Sequence, residues 1–262
     1  MKFHLIIIRG HIMRIGILGV GMIGKTLVQK LSAAGHNVKA ANSRGPESID
    51  PDVFSRGGRG VTSAEAVKDV DVVIVSVNPR SFGQIAPLIK SLPPETVVID
   101  TFNYYPAREG DGKIEALESG QVESVWVSEV LGRPLVKAWN TIIFQSFATR
   151  GVPAGTPGRI ALPVAGDNEH DRRVAMALVE DTGFDAFDAG VLADSWRQQP
   201  GAPAYCTNLT LEELPGALAA AEKERLPKRR DIVWQAIAER TSNEMTSITE
   251  DYIIRLQRAV FM

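Results

Sequence analysis

A short stretch near the start of the chain limits what it can become. The apolar run Ile15 to Leu18 gives way directly to G-V-G-M-I-G, Gly19 to Gly24, and beyond it Ile23, Leu27 and Leu31 recur every four positions. Fourfold spacing marks one face of a helix, and a brief apolar run closed by glycine reads as a buried strand. Three glycines between a strand and a helix form the turn that seats a dinucleotide. Gly19 permits the tight bend, Gly21 lets a pyrophosphate approach the backbone, and Gly24 lets the helix pack closely. The helix N-terminus then offers unpaired N–H groups and a positive dipole end to phosphate. Gly19, Val20, Gly21, Met22, Ile23 and Gly24 are therefore the first expected cofactor contacts. The plainer alternative is a tight strand-to-helix turn with no ligand, and Gly35 is expected to end the helix either way.

The rest of the chain repeats the theme. Val38 to Ala41, a short strand from Val61, Asp71 to Val77, Thr96 to Ile99, Leu135 to Trp139, Ile160 to Ala165 and Phe184 to Phe187 are apolar runs, most of them separated by helix-like stretches. Strands without polar alternation are covered on both faces, which predicts a doubly wound, mostly parallel α/β sheet of the Rossmann kind. Thr62 with Glu65 predicts a capping box, as do Thr210 with Glu213 and Ser247 with Glu250. After Gly190 the texture changes to Q-Q-P-G-A-P-A-Y and then to three helical patterns. Residues 13–190 thus read as the dinucleotide-binding domain and 191–262 as a C-terminal helical cap or dimerisation segment. Residues 1–12 read as an extension outside the fold.

Composition narrows the function classes. The 262 residues are 44% hydrophobic and 23% charged with a formal charge of −2, which speaks for a globular chain and against a general nucleic-acid binder. Cys206 is the only cysteine, so no internal disulfide or thiolate metal cluster can form. A reducing cytoplasm is expected, with Cys206 a packing residue rather than a nucleophile. The run Phe3 to Ile8 is too short to span a membrane.

Charge also bears on the choice of cofactor. NAD-preferring turns carry an acid near the end of the second strand to hold the ribose hydroxyls. Asn42, Ser43 and Arg44 stand there instead. An arginine fork beside amide and hydroxyl donors suits a 2′-phosphate that a carboxylate would repel, so NADP is expected over NAD. A solvated loop cation is the alternative for Arg44.

Taken together, the segments MRIGILGVGMIGKTLVQKLSAAGH, ANSR, VIVSVNP, LVKAWNTI, PVAGDN and GFDAFDAGVLADSW resemble the NADP-dependent deazaflavin (coenzyme F(420)) oxidoreductase family, and more distantly pyrroline-5-carboxylate reductase. The resemblance runs from about Met13 to Trp196. It implies that Gly19 to Gly24, Ser43 and Arg44 bind NADP, that Ser76, Val77 and Asn78 flank the cofactor, and that Lys137 to Asn140 lie near the nicotinamide. A deazaflavin is then the implied co-substrate, although D-A-G-V-L-A-D-S-W and the long helical tail depart from the family pattern where that pocket closes.

The residues add their own candidates. Lys137 interrupts an apolar strand and needs a partner; it either faces the crevice with Ala138, Trp139 and Asn140 or snorkels from an edge strand. Asn103, Tyr104 and Tyr105 follow the strand ending at Asp100 and are expected at the same crevice, as substrate or proton-donor groups or as packing. Lys137, Asn140 and Tyr104 are the catalytic candidates. None of His4, His11, His36 and His170 makes a convincing acid or base, and no metal site is expected. The expected activity is hydride transfer to or from nicotinamide, to a deazaflavin or to a small carbonyl or imine; a non-catalytic NADP(H) sensor is the rival from another class. Small molecules, not membranes or nucleic acid, are the expected partners, with a homodimer through Trp234 and the stripe Tyr252 to Phe261.

Overall fold

The computed structural model describes residues 12–109, 112–241 and 248–262; the expectations for residues 1–11, with His4 and His11, and for Ser247 lie outside them. β1 (Arg14–Leu18) is buried along all but its first residue, and Gly19 at φ +99° turns the chain into α1 (Met22–Ala33). Gly35, at φ +96°, closes that helix, its N–H donating to Ser32 O. This left-handed conformation is free of strain only for glycine.

β2 (Asn37–Ala41) and the two-residue β3 (Arg59–Gly60) follow, β3 ending just before the Val61 start that the apolar pattern predicts. Thr62 caps α2 (Ser63–Ala66) in a complete box, its hydroxyl accepting from the Glu65 N–H while the Glu65 carboxylate accepts from the Thr62 N–H. Next come β4 (Val72–Val75), α3 (Phe82–Lys90), β5 (Val97–Asp100), α4 (Pro106–Glu109), α5 (Glu115–Glu118), α6 (Glu123–Leu131) and β6 (Val136–Lys137). The strand predicted over 135–139 is thus cut to two residues; Trp139 sits at φ +56° and takes the chain out of extended conformation. α7 (Phe144–Thr149), β7 (Ala161–Gly166), α8 (Glu169–Asp181) and β8 (Asp185–Asp188) complete the α/β unit.

Among the described residues the eight strands lie in the order β3-β2-β1-β4-β5-β6-β7-β8. Pairing is parallel throughout except between β6 and β7, where Val136 faces Gly166 and Lys137 faces Ala165. Alternate side chains feed two cores. Ile15, Ile17, Ile74 and Ile99 pack on Leu27, Val28 and Leu31 of α1 and Leu178 of α8. Leu18, Val73, Val75 and Val98 pack on Phe82, Ile85 and Ile89 of α3 and Val127 of α6. Covering both faces explains why these strands lack polar alternation.

Beyond the 3₁₀ turn Leu192–Gln198, the chain forms α9 (Leu214–Ala219), α10 (Leu226–Thr241) and α11 (Glu250–Phe261). Thr210 and Glu213 do bond one another, the Thr210 N–H donating to Glu213 Oε2 at 2.9 Å, but the helix starts only at Leu214, so the pair shapes a turn rather than a cap. Thr249 caps α11, its hydroxyl accepting from the Tyr252 N–H. Ile253 and Phe261 of α11 pack inward with Val233 and Ile237 of α10 on Tyr105 and Tyr205. Ser146 of α7 donates to Glu250 at 2.6 Å, which fastens α11 to the sheet domain, and Arg258 donates to Thr207 O at 2.8 Å, which ties α11 to the segment before α9. Among the described residues no helix is long and apolar enough to cross a membrane.

Candidate active site at the carboxyl ends of the strands

The carboxyl ends of β1, β2, β4 and β5 open on one cleft of about 990 Å³, the position at which open parallel sheets take their ligands. At one end it is lined by Gly19 to Ile23, by Asn42, Ser43 and Arg44, and by Ser76, Val77 and Asn78. The three glycines play different parts. A Cβ on Gly19 would meet Ser76 O at 2.1 Å and one on Gly24 would meet Gly19 O at 2.0 Å, so both are imposed by the protein itself. A Cβ on Gly21 would meet nothing within 4 Å; it would project into space a ligand could use. Gly24 therefore stands beneath the turn, and Gly21 faces the cleft.

α1 begins without a side-chain cap and without an acid in its first turn, so its first N–H groups and its dipole are left for an outside anion. Asn42 is oriented by Ser48, to whose Oγ its amide donates at 2.9 Å, and it accepts the Arg44 N–H at 3.0 Å. Arg44 itself is exposed and forms no ion pair among the described residues. These features fit the diphosphate and 2′-phosphate of a dinucleotide.

Asn103 lines the middle of the cleft. Its amide donates to Asn140 O at 2.8 Å and accepts from Asn140 Nδ2 at 3.1 Å; that same Nδ2 donates to Gln198 O at 2.6 Å. Asn140 is thus a brace behind Asn103 and not a wall of the cleft.

Lys137 is also placed differently from expectation. It is fully buried between β5 and β7, neither in the crevice nor at an edge. Its ammonium donates to Phe102 O and Ser124 Oγ, both at 2.9 Å, and lies 3.6 Å from Glu123 and 4.0 Å from Asp100. Asp100 accepts from the Phe102 N–H at 2.9 Å and from Ser124 at 2.7 Å. Burial raises the pKa of both carboxyls, Glu123 to about 7, against the pull of the Lys137 charge. Two acids share one cation here, so the cluster takes up a proton well above the ordinary carboxylate range.

Ala138 and Trp139 are buried in the core, where the Trp139 indole donates to Thr182 at 3.2 Å. Tyr104 is buried against α3 and α6, its oxygen accepting the Ile114 N–H at 3.1 Å. It is the next residue, Tyr105, that reaches the cleft.

Tyr105 opens a second lobe that local sequence pattern did not point to. Arg108, Ile143, Phe144, Tyr205, Cys206, Trp234, Ile253 and Gln257 line it with Tyr105, so α10 and α11 roof the far half of the cleft. The Tyr105 hydroxyl donates to that of Tyr205 at 3.0 Å. Burial pushes both phenols well up and the Cys206 thiol up to about 12. The Arg108 guanidinium lies 4.3 Å from the Tyr105 ring centre and 4.9 Å from that of Trp234. His36 is structural, accepting the Met13 N–H at 3.1 Å and meeting Asp181 at 3.1 Å.

Comparison with known proteins agrees with this geometry. Residues 14–104 match the family model described as NADP oxidoreductase coenzyme F420-dependent. The crystal structure of the hypothetical protein SMa0349 from Sinorhizobium meliloti is 31% identical, with a TM-score of 0.64 over 75% of this chain and 95% of that one. A structure from Arthrobacter sp., provisionally described as an F420-dependent NADP-reductase, shares the fold at 19% identity and a TM-score of 0.55, over 86% of this chain and 95% of its own. Protein YjhV of Escherichia coli is 44% identical over 80 residues, 29% of this chain, and the match spans 58% of that relative's length. Residues 14–104, which hold the glycine turn, the second strand end and the Ser76 to Asn78 rim, are thus similar to the NADP oxidoreductases described as coenzyme F420-dependent, and over most of its length the chain belongs to the same family as SMa0349.

Proposed function

We propose that the chain is an NADP(H)-dependent oxidoreductase that moves a hydride between nicotinamide and a second small molecule. The observation that carries this reading is the continuity of the cleft, from the glycine turn and Arg44 at one end to the aromatic lobe at the other. NADPH, when bound, supplies the hydride from C4 of its nicotinamide. The protein's part is to bind, orient and exclude water. The first N–H groups of α1 hold the pyrophosphate, and Arg44 with Ser43 and Asn42 holds the 2′-phosphate. Ser76 to Asn78 and Asn103 line the path toward the lobe.

A deazaflavin coenzyme is the hydride partner that the family suggests. The family match ends at residue 104, one residue before the lobe begins. Within the lobe the paired Tyr105 and Tyr205 hydroxyls favour a second reading, reduction of a small carbonyl or imine, since a hydroxyl there can supply the proton that the developing charge needs. The test is titration with NADPH and NADH, followed by turnover with a reduced deazaflavin and with aldehydes, 2-oxo acids and cyclic imines. Tighter binding of NADPH and turnover with one of these acceptors are expected. Failure to bind either nucleotide overturns the reading, and binding without any turnover leaves a sensor.

A further inference from the structure

Resting on that reading, we propose that the second substrate carries an apolar, flat body and one carboxylate, and that Arg108 receives the carboxylate. Arg108 is held by two rings, Tyr105 and Trp234, and its guanidinium has no hydrogen-bond or ion-pair partner among the described residues. A guanidinium stacked on its face keeps its N–H edge free, and that edge matches a carboxylate in two parallel hydrogen bonds. Aromatic planes that fix the cation also reduce the entropy lost when it takes a ligand.

The charge balance of the lobe points the same way. Glu109 also lines the cleft, but its carboxylate faces Arg80 at 3.8 Å, and Arg80 further donates to the Glu109 carbonyl at 2.7 Å. Among the described residues Arg108 is thus left as the uncompensated charge of the lobe, and one cation calls for one negative group rather than a polyanion. Ile143, Phe144, Ile237 and Ile253 are among the other walls, and they suit an apolar body. Gln257 is a second, independent pointer to a ligand. It is 4% exposed, lines the cleft, and its Oε1 has no hydrogen-bond partner among the described residues. A buried amide oxygen left unpaired costs free energy, and a donor on the ligand would remove that cost.

The test uses two molecules of equal size, 3-phenylpropanoate and its neutral amide 3-phenylpropanamide, titrated by calorimetry into the whole protein with and without NADP⁺. The carboxylate is expected to bind about tenfold more tightly. In Arg108→Gln the two ligands should bind within about twofold of each other, with the melting temperature unchanged because Arg108 is exposed. Arg108→Lys keeps the charge without the fork and should retain part of the preference. Equal affinity of the two ligands for the parent protein, or a preference that survives Arg108→Gln, overturns the proposal. NADPH titration on the same sample is read separately. A carboxylate preference in a protein that does not bind NADPH would sink the cofactor reading while sparing the lobe, and the reverse result would do the opposite.

Discussion

The Lys137 ammonium donates to the carbonyl oxygen of Phe102 at 2.9 Å, so the charge that interrupts β6 grips the loop leading to Asn103. Removing it would strand Asp100 and Glu123 without a counter-charge, and breaking a buried ion pair costs about 3–5 kcal/mol. Lys137→Met should therefore lower the unfolding free energy by about 3 kcal/mol in urea denaturation, more at pH 8 than at pH 5. Any change in kcat should follow from the displaced loop. A variant of parental stability with abolished turnover would contradict this and return Lys137 to the chemistry.

Glu123 makes stability depend on pH in a particular direction. Its folded pKa, about 7, lies above the ordinary value of 4.5, so between those values the folded state binds more protons than the unfolded one. Stability from this group must then fall as pH rises from 4.5 and level off above 7. Glu123→Gln should flatten that slope, read as the difference between urea midpoints at pH 5 and pH 8. An equal slope in both proteins would show that the proton resides elsewhere.

The glycines of the turn should separate stability from binding. Gly21→Ala places a methyl in open space, so the melting temperature should stay within about 2 °C while NADPH affinity drops at least about tenfold. Gly24→Ala drives its Cβ into Gly19 O and should lower stability first. Thermal melts and nucleotide titrations of the two variants decide the matter.

Arg44→Ala should weaken NADPH by about 10- to 100-fold, the worth of a charge-assisted contact, and leave NADH nearly unchanged. Undiminished NADPH binding would remove Arg44 from the adenosine end.

Cys206 should be inert. It is buried and its thiol is raised to about 12, so the thiolate is scarce at pH 8. Iodoacetamide should modify the unfolded protein and spare the native one, as mass spectrometry can read.

Much of the geometry at the glycine-turn end of the cleft was legible because it is local. A strand, a glycine turn and a helix form one continuous segment, and the same short range covers Asn42 to Arg44. Where single positions decided the outcome, pattern gave less. Tyr104 and Tyr105 are neighbours, yet one points into the α3 and α6 core and the other into the cleft. Trp139 looked like a stacking surface, but its positive φ turns the ring into the core. Lys137 looked like a crevice or edge residue because the antiparallel β7 that covers it leaves no mark in its own strand. The lobe was beyond reach for another reason: Tyr105, Tyr205, Trp234 and Gln257 meet only through packing of α10 and α11 on the sheet, and no periodicity within any one segment announces that meeting.

A cleft whose roof comes from a distant part of the chain is a modular device. The turn proposed to grip the nucleotide and the helices proposed to greet the second molecule can drift separately, so proteins alike in their opening segments are free to diverge in what they act on. Changes confined to α10 and α11 would retune the catalyst's appetite and leave its fuel untouched.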